Sequence, residues 1–238
     1  MTQKIYTLFR GVGGVDCGAE AAGLESVGGI EYDATIAADC DRNFPHAPTT
    51  AADIRDVDPA LLPDDPPDVL HASPSCKNAS VANQAKNEDG TKETEFDREC
   101  GRATCRFIDH WQPPIFTLEN VWAYRNFDAF GYILDSLRSG GYSFDYWHLN
   151  FADYGVPQTR KRLILIAKRG EHRIVKPVAT HHDPAGRDAN QLPMFADMET
   201  TRPWVGWYEA IEDLIPTLPD SKFAPWQLKR LPEEIKKQ

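Results

Sequence analysis

The side chains best suited to covalent chemistry stand at the ends of apolar runs. Cys76 lies between Pro74-Ser75 and Lys77-Asn78-Ala79-Ser80, directly after the run Val69 to Ala72. A lone cysteine is usually a buried small hydrophobe, but a turn bounded by proline exposes its thiol and suits a nucleophile. Glu119-Asn120 follows Ile115 to Leu118 in the same way, with a cap for the next helix as the plainer alternative. Gln158-Thr159-Arg160-Lys161-Arg162 precedes the run Leu163 to Ala167. Strand alternation puts Arg160 and Arg162 on one face and Lys161 on the other; a solvated edge strand is the alternative.

A second group suits a cofactor. Gly11-Val12-Gly13-Gly14 closes the run Ile5 to Phe9 and would let backbone amides approach a ligand at a helix N-terminus. Asp39, ending an expected strand Ala34 to Ala38, is placed where a carboxylate commonly takes ribose hydroxyls. An adenosine cofactor follows, and on these residues alone NAD fits as well as S-adenosylmethionine. The third glycine of G-x-G-x-x-G would fall at Asp16, which disfavours NAD.

These residues need a scaffold that brings strand ends together. The expected elements are a strand Ile5 to Phe9, a helix through Val15, Ala19 and Ala22 that stops at Gly28-Gly29, and strands Ala34 to Ala38 and Val69 to Ala72. After a polar loop at 83–95 come a helix from Phe96 to Trp111 closed by Pro113-Pro114, a strand Ile115 to Leu118, and a helix from Phe127 to Leu137 stopped by Gly140-Gly141. Alternation through Tyr142, Phe144, Tyr146 and His148, then Leu163 to Ala167, adds two strands. Alternating strands and helices imply an α/β sheet with helices on both faces. Residues 1–176 form the expected domain; 177–238 read as a proline-rich extension with one short helix near Trp207 to Leu214. Trp204, Trp207, Tyr208 and Trp226 are expected to pack that extension onto the core.

Composition narrows the classes. With 238 residues, 41% hydrophobic and 26% charged, the chain has an ordinary soluble composition. Its longest apolar run, Leu163 to Ala167, is far short of the roughly 20 residues of a membrane span, and no export leader is expected. Cysteines at 17, 40, 76, 100 and 105 are odd in number and irregular in spacing, which argues for a reducing cytosol. Cys100, Cys105 and His110 lack zinc spacing and His181-His182 has no further ligands, so no metal is assigned. The net charge of -10 disfavours a polyanion as partner of the whole chain. Yet residues 151–176 hold seven basic and two acidic side chains, a window of +5, against 12 basic and 24 acidic in residues 1–150.

Taken in order, the glycine turn, Pro-Ser-Cys, Glu-Asn-Val and Gln-x-Arg-x-Arg resemble the cytosine-5 DNA methyltransferases, over Leu8 to about Arg169. The resemblance implies a Rossmann-like class I S-adenosylmethionine-dependent methyltransferase sheet. It implies cofactor contacts from Phe9, Gly11, Gly13, Gly14, Asp39, Cys40, Asp53, Ile54 and Pro74. It also implies catalytic roles for Cys76, Glu119, Arg160 and Arg162, and substrate contacts from Ser80, Asn120, Val121 and Gln158. Cytosine C5 is too weak a nucleophile to take a methyl group until a thiolate adds at C6 and makes an enamine. Cys76 would be that thiolate, and Glu119 would relieve the charge at N3. An unperturbed thiol with a pKa near 8.5 is only about 3% ionised at neutral pH, so positive charge from Arg160 and Arg162 would help. The implied substrate is double-stranded DNA with its target base flipped out.

This chain departs from the family pattern in several places. Ser75 stands where a second proline is usual, Lys77 replaces glutamine, and Asp39 is one carbon shorter than the usual glutamate. A target-recognition domain and a final Gly-Asn-Ser block are not found, so a second polypeptide supplying them is one expectation. The alternatives to a DNA methyltransferase are a half-enzyme subunit that needs such a partner and a transfer-RNA cytosine-5 methyltransferase. A cytoplasmic location follows, in a bacterial, nucleoid-associated or phage-encoded setting.

Overall fold

The computed structural model describes residues 2–62, 65–75, 92–186 and 201–217. Cys76, Lys77 and Ser80 lie outside the described residues, as does Trp226. The first strand, β1 (Lys4–Leu8), leads through a glycine turn into α1 (Gly14–Ala21), β2 (Glu25–Glu31), α2 (Ala34–Asn43) and β3 (Thr49–Ala51). Then follow β4 (Val69–Ala72), α3 (Glu95–Trp111), β5 (Ile115–Asn120), α4 (Asp128–Ser139), β6 (Tyr142–Asn150) and β7 (Lys161–Arg169).

The seven strands form one sheet in the order β3-β2-β1-β4-β5-β7-β6. All neighbours from β3 to β5 are parallel, and β7 runs antiparallel to both β5 and β6. Parallel strands need crossovers, which are right-handed, so α1 and α2 cover one face and α3 and α4 the other. The central strands are buried on both faces: Leu8, Leu70, Ala72, Phe116 and Leu118 join Phe107, Ile108, Phe130 and Ile133 in one core. Helix α3 buries Cys100, Ala103, Phe107, Ile108 and Trp111, the stripe its sequence period requires. It begins where Asp97 accepts hydrogen bonds from the Thr94 backbone N–H (2.8 Å) and hydroxyl (2.7 Å), and it ends at a left-handed Gln112 before the two prolines.

Three sequence expectations are corrected. Ala34 to Ala38 is helix, not strand: Asp33 caps α2 by accepting from Thr35 N (2.8 Å) and Ile36 N (3.2 Å), and Ala37 and Cys40 face inward. Gly28-Gly29 does not stop a helix; α1 ends before Gly23, and the glycine pair lies inside β2. A Cβ on Gly29 would stand 2.4 Å from the Thr7 carbonyl oxygen and 2.6 Å from Arg10 Cδ, so glycine is what lets the arginine cross the strand. Finally, Trp207 to Leu214 forms turns rather than an α-helix, and among its described residues the extension contributes a two-residue parallel pair, β8 (His181–His182) with β9 (Arg202–Pro203), and a single 3-10 turn at Ile215–Thr217. Trp204 does dock, its indole N–H donating to Asp153 (3.0 Å), but Trp207 is 68% exposed and meets the Tyr208 ring edge-on.

One buried ion pair fixes the turn after β1. The Arg10 guanidinium and the Asp16 carboxylate are both fully buried, 2.9 Å apart. Arg10 also donates to the Ala47 carbonyl (2.6 Å), the Thr49 hydroxyl (2.8 Å) and the Ser26 hydroxyl (3.1 Å). The loop, α1, β2 and the approach to β3 are thereby tied to one side chain. Asp16→Ala would strand a buried cation, a change that typically costs about 3–5 kcal/mol. Urea unfolding should show a loss of that size at neutral pH.

Candidate active site

Sheet order reverses between β1 and β4, the place where the carboxyl ends of strands open a crevice. A cleft of about 680 Å3 lies there, within the roughly 300–1,000 Å3 usual for small-molecule sites. Phe9 from the end of β1, Ile30 to Asp33 from the end of β2, Asp53 and Ile54 beyond β3, Ser73 and Ser75 beyond β4, and Phe96 and Cys100 of α3 line it. Phe9 has φ 57°, unusual for a residue with a side chain, and precedes Gly11 at φ 60°. The Gly11 amide donates to Glu31 Oε2 (2.8 Å) and the Asp33 amide to Glu31 Oε1 (3.0 Å), so a fixed carboxylate faces the cleft from β2. Tyr32, next in sequence, is 72% exposed at its rim.

The expected cofactor residues therefore divide. Phe9, Asp53 and Ile54 line the cleft, and Gly11 and Pro74 adjoin lining residues. Gly13 is turned away beneath α2, where a Cβ would meet the Phe44 ring at 2.3 Å, and Gly14 opens α1. Asp39 and Cys40 do not reach the cleft. Once Ala34–Asn43 is a helix, Asp39 lies on its outer side in an ion pair with Arg42, and Cys40 is buried beneath it. Glu31 occupies the strand end where Asp39 was expected. The signal was present in the sequence: Asp33 precedes Ala37, Cys40 and Phe44 at helical spacing, which places the strand before it.

The second half of the site is built on β5 and β7. Antiparallel pairing sets Glu119 opposite Ile164, and side-chain alternation puts Arg162 on the same face. Arg162 Nε stands 2.8 Å from Glu119 Oε1, and Arg160 Nη2 3.8 Å from the same atom. That oxygen makes no aligned hydrogen bond, so the contact is electrostatic. Gln158 is exposed in the turn that leads to β7. Asn120 and Val121, expected at the substrate, face inward instead. Asn120 Nδ2 donates to the Pro74 carbonyl (3.0 Å), while its Oδ1 accepts from Val121 N (2.8 Å). Asn120 thus joins the end of β5 to the chain that leads from β4 toward Cys76.

Two residues that sequence reasoning missed also tie separate parts of the chain together. His71 of β4 is buried between Thr117 of β5 and Ser73, each hydroxyl 2.8 Å from a ring nitrogen. Glu93, just beyond residues 76–91, accepts from Asp128 N (3.0 Å) and Ala129 N (2.9 Å) and so caps α4 from a distant part of the chain. Neither follows a local pattern that could have revealed it. Burial also pushes the Cys100 thiol up to about 12, which suits packing rather than nucleophilic chemistry. Among the described residues, no group of three or more His, Cys, Asp or Glu is placed to hold a metal ion.

A family model described as C-5 cytosine-specific DNA methylase matches residues 3–227. The chain belongs to the C-5 cytosine-specific DNA methylase family. It is 26% identical to the type II methyltransferase M.AquIA of a Picosynechococcus species, over 99% of this chain and 98% of that one. It is 35% identical to M.Bsp6I of a Bacillus species and 31% to M.NgoBI of Neisseria gonorrhoeae, over 71% and 68% of this chain. Those matches cover only 53% and 50% of the two relatives, so this C-5 cytosine methylase chain spans about half their length. Among solved structures, a putative DNA modification methyltransferase encoded within an E. coli prophage superposes with a TM-score of 0.59 at 23% identity, covering 71% of this chain and 47% of that one. A Spodoptera frugiperda DNMT2 variant gives 0.57 at 20%, covering 71% and 51%. These structures share the class I methyltransferase fold of this family member.

His71 makes the site sensitive to acid. Burial holds its imidazole neutral, lowering the pKa from 6.5 to about 4. The unfolded chain takes up this proton below about pH 6.5, whereas the folded chain takes it up only near 4. The stability is therefore complete above the upper value and is lost as pH falls toward the lower, in all about 3 kcal/mol. His71→Asn should remove this part of the slope when urea stability is compared between pH 7 and 4.5.

Proposed function

We propose that the chain carries the cofactor site and the catalytic carboxyl and arginines of an S-adenosylmethionine-dependent DNA cytosine C5-methyltransferase, with Cys76 as nucleophile. The observation that carries this reading is Glu119 held against Arg162 and Arg160, on the strand whose end is tied through Asn120 to the Pro74 carbonyl. A carboxyl, two guanidinium groups and the approach to a thiol meet at one sheet edge, beside a cleft with a fixed carboxylate in it.

The cleft fits an adenosyl cofactor. Glu31 is placed for the ribose hydroxyls, the exposed Tyr32 ring for stacking, and Asp53 with Ile54 for the adenine edge. When bound, S-adenosylmethionine supplies an electrophilic methyl group. The Cys76 thiolate forms a bond to C6 of cytosine, shifting the C5–C6 electron pair toward the ring nitrogen and carbonyl. Glu119 meets N3 with a proton or hydrogen bond, and Arg160 and Arg162 balance the charge that the thiolate brings. C5 would then take the methyl group as its bond to the sulfonium sulfur breaks and S-adenosylhomocysteine departs; loss of the C5 proton to solvent or a base would restore the C5–C6 double bond and return the C6–sulfur electron pair to Cys76. A base stacked in a duplex cannot reach such a site, so the target is flipped out.

A second polypeptide is part of this reading, because nearly half of M.Bsp6I and of M.NgoBI lies outside the region this chain matches, whereas M.AquIA is matched over 98% of its length. The partner would supply a target-recognition segment and complete the cofactor site. The setting is the cytoplasm of a bacterium, beside its DNA or that of a phage.

DNA containing 5-fluorocytosine should trap a covalent adduct, seen as a slower band on denaturing gels and absent in Cys76→Ala. Failure with any DNA, with or without a co-encoded partner, would reject the reading. Glu119→Gln should lower the methylation rate by about 10²–10⁴ in single-turnover assays. Faster turnover on transfer RNA than on DNA would reassign the substrate.

A further inference from the structure

Five arginines among the described residues lie over aromatic rings. Four of them, Arg10, Arg55, Arg102 and Arg138, are also held by a carboxylate, which cancels their charge where it stands. Arg125 is the exception among the described residues: its partners are the ring and the carbonyl of Trp122, and no carboxylate pairs with it. The guanidinium carbon lies 4.4 Å from the centre of the Trp122 ring, and Nη1 donates to the Trp122 carbonyl (2.9 Å). Trp122 in turn stacks on His148 of β6, with ring centres 4.7 Å apart and planes 13° from parallel. The Arg125 side chain is therefore exposed yet held in place. A guanidinium has five N–H donors, and the Trp122 carbonyl takes one of them.

This column stands beside the Glu119 edge. Trp122 opens the turn Trp122–Asn126, one residue after β5 ends. His148 is opposite Leu163, so Lys161 shares its face of the sheet, the face on which Phe130 of α4 meets Tyr146. Arg160 and Arg162 stand by Glu119 on the other face. Burial, with the charges of Lys161 and Arg125, holds the His148 imidazole below its usual range, so two cations flank an uncharged stack at neutral pH.

We propose that Arg125, steadied by the Trp122–His148 stack, forms with Lys161 a docking surface for the phosphate backbone of duplex DNA, on the face of the sheet opposite the arginines at Glu119. Charge complementarity decides the partner. The chain as a whole carries -10, so a polyanion is repelled by most of its surface and attracted where cations gather without carboxylates. A fixed guanidinium fork suits a phosphate, and such a contact sets position without reading sequence. The inference rests on the DNA reading of the Glu119 edge and deepens it.

The test is binding of a fluorescent DNA duplex, followed by anisotropy between about 0.05 and 0.2 M KCl, for the full chain alone and with a co-encoded partner. Each phosphate contact steepens the fall of log affinity with log salt by about 0.9. Arg125→Ala should reduce that slope by about 1 and weaken two duplexes of unrelated sequence alike, by about 10-fold. Arg125→Lys keeps the charge and should retain the slope. Arg138→Ala removes an arginine that lies over Phe144 but is already paired with Asp135, and it should leave the slope unchanged. An unchanged slope in Arg125→Ala, or an equal fall in Arg138→Ala, overturns the proposal, as does weakening confined to one sequence. A slope reduced on transfer RNA but not on DNA assigns the surface to RNA and overturns it as well. If Arg125→Ala does not fold, Arg125→Gln decides by the same slope. Wild-type protein that binds no duplex, alone or with the partner, overturns the DNA reading and this inference with it, whereas wild-type binding with an unchanged slope in the variants overturns the inference alone.

Discussion

The arrangement depends first on a buried arginine. Arg10 sits at the turn where β1 gives way to α1, and its charge is neutralised by Asp16 inside the protein rather than by solvent. A desolvated ion pair is tolerable only when the remaining donors are also satisfied, and here they are, by a hydroxyl from β2 and a carbonyl and a hydroxyl from the segment that enters β3. The need to pass the arginine stem across β2 explains Gly29, and that strand's course delivers Glu31 to the cleft. The turn itself then presents Phe9 and Gly11 in left-handed conformations that an unanchored loop would seldom hold.

The antiparallel β7 is the second organising element. A parallel strand in its place would have carried Arg160 and Arg162 to the opposite edge of the sheet, away from Glu119. Reversal brings its first residues to the carboxyl ends of its neighbours. Glu119 and Asp53 are both carboxylates beside arginine, but their geometry differs. Asp53 is gripped by Arg55, whose side chain and backbone N–H occupy both of its oxygens. Glu119 faces its arginines without an aligned bond, so its oxygen is still available to an incoming group.

Much of this was legible in the residues alone. The runs Val69 to Ala72, Ile115 to Leu118 and Leu163 to Ala167 are strands because continuous apolar stretches suit a sheet buried on both faces, and α3 and α4 follow their helical period. Alternation correctly set Arg160 and Arg162 apart from Lys161. The errors came where local composition is ambiguous. Ala34 to Ala38 is apolar enough for either element, and only the cap at Asp33 decides it. Gly28-Gly29 looked like a stop because glycine usually is one, whereas its cause is a side chain arriving from another strand. His71 and Glu93 were invisible for a similar reason: each has a partner a full element away, Thr117 on β5 and the start of α4, and no periodicity encodes that.

The ion pairs also have a long-range result. Arg10, Arg42, Arg55, Arg98, Arg102 and Arg138 each face a carboxylate within the acidic first part of the chain, so their charge is largely cancelled where it stands. Seven basic side chains fall within residues 151–176, on and around the β7 side of the sheet. Residues 151–176, which include β7, therefore carry a local excess of positive charge beside Glu119. A polyanion within about 10 Å, the reach of electrostatics at 0.1 M salt, would exert a torque before any contact forms and turn the Glu119 edge toward itself.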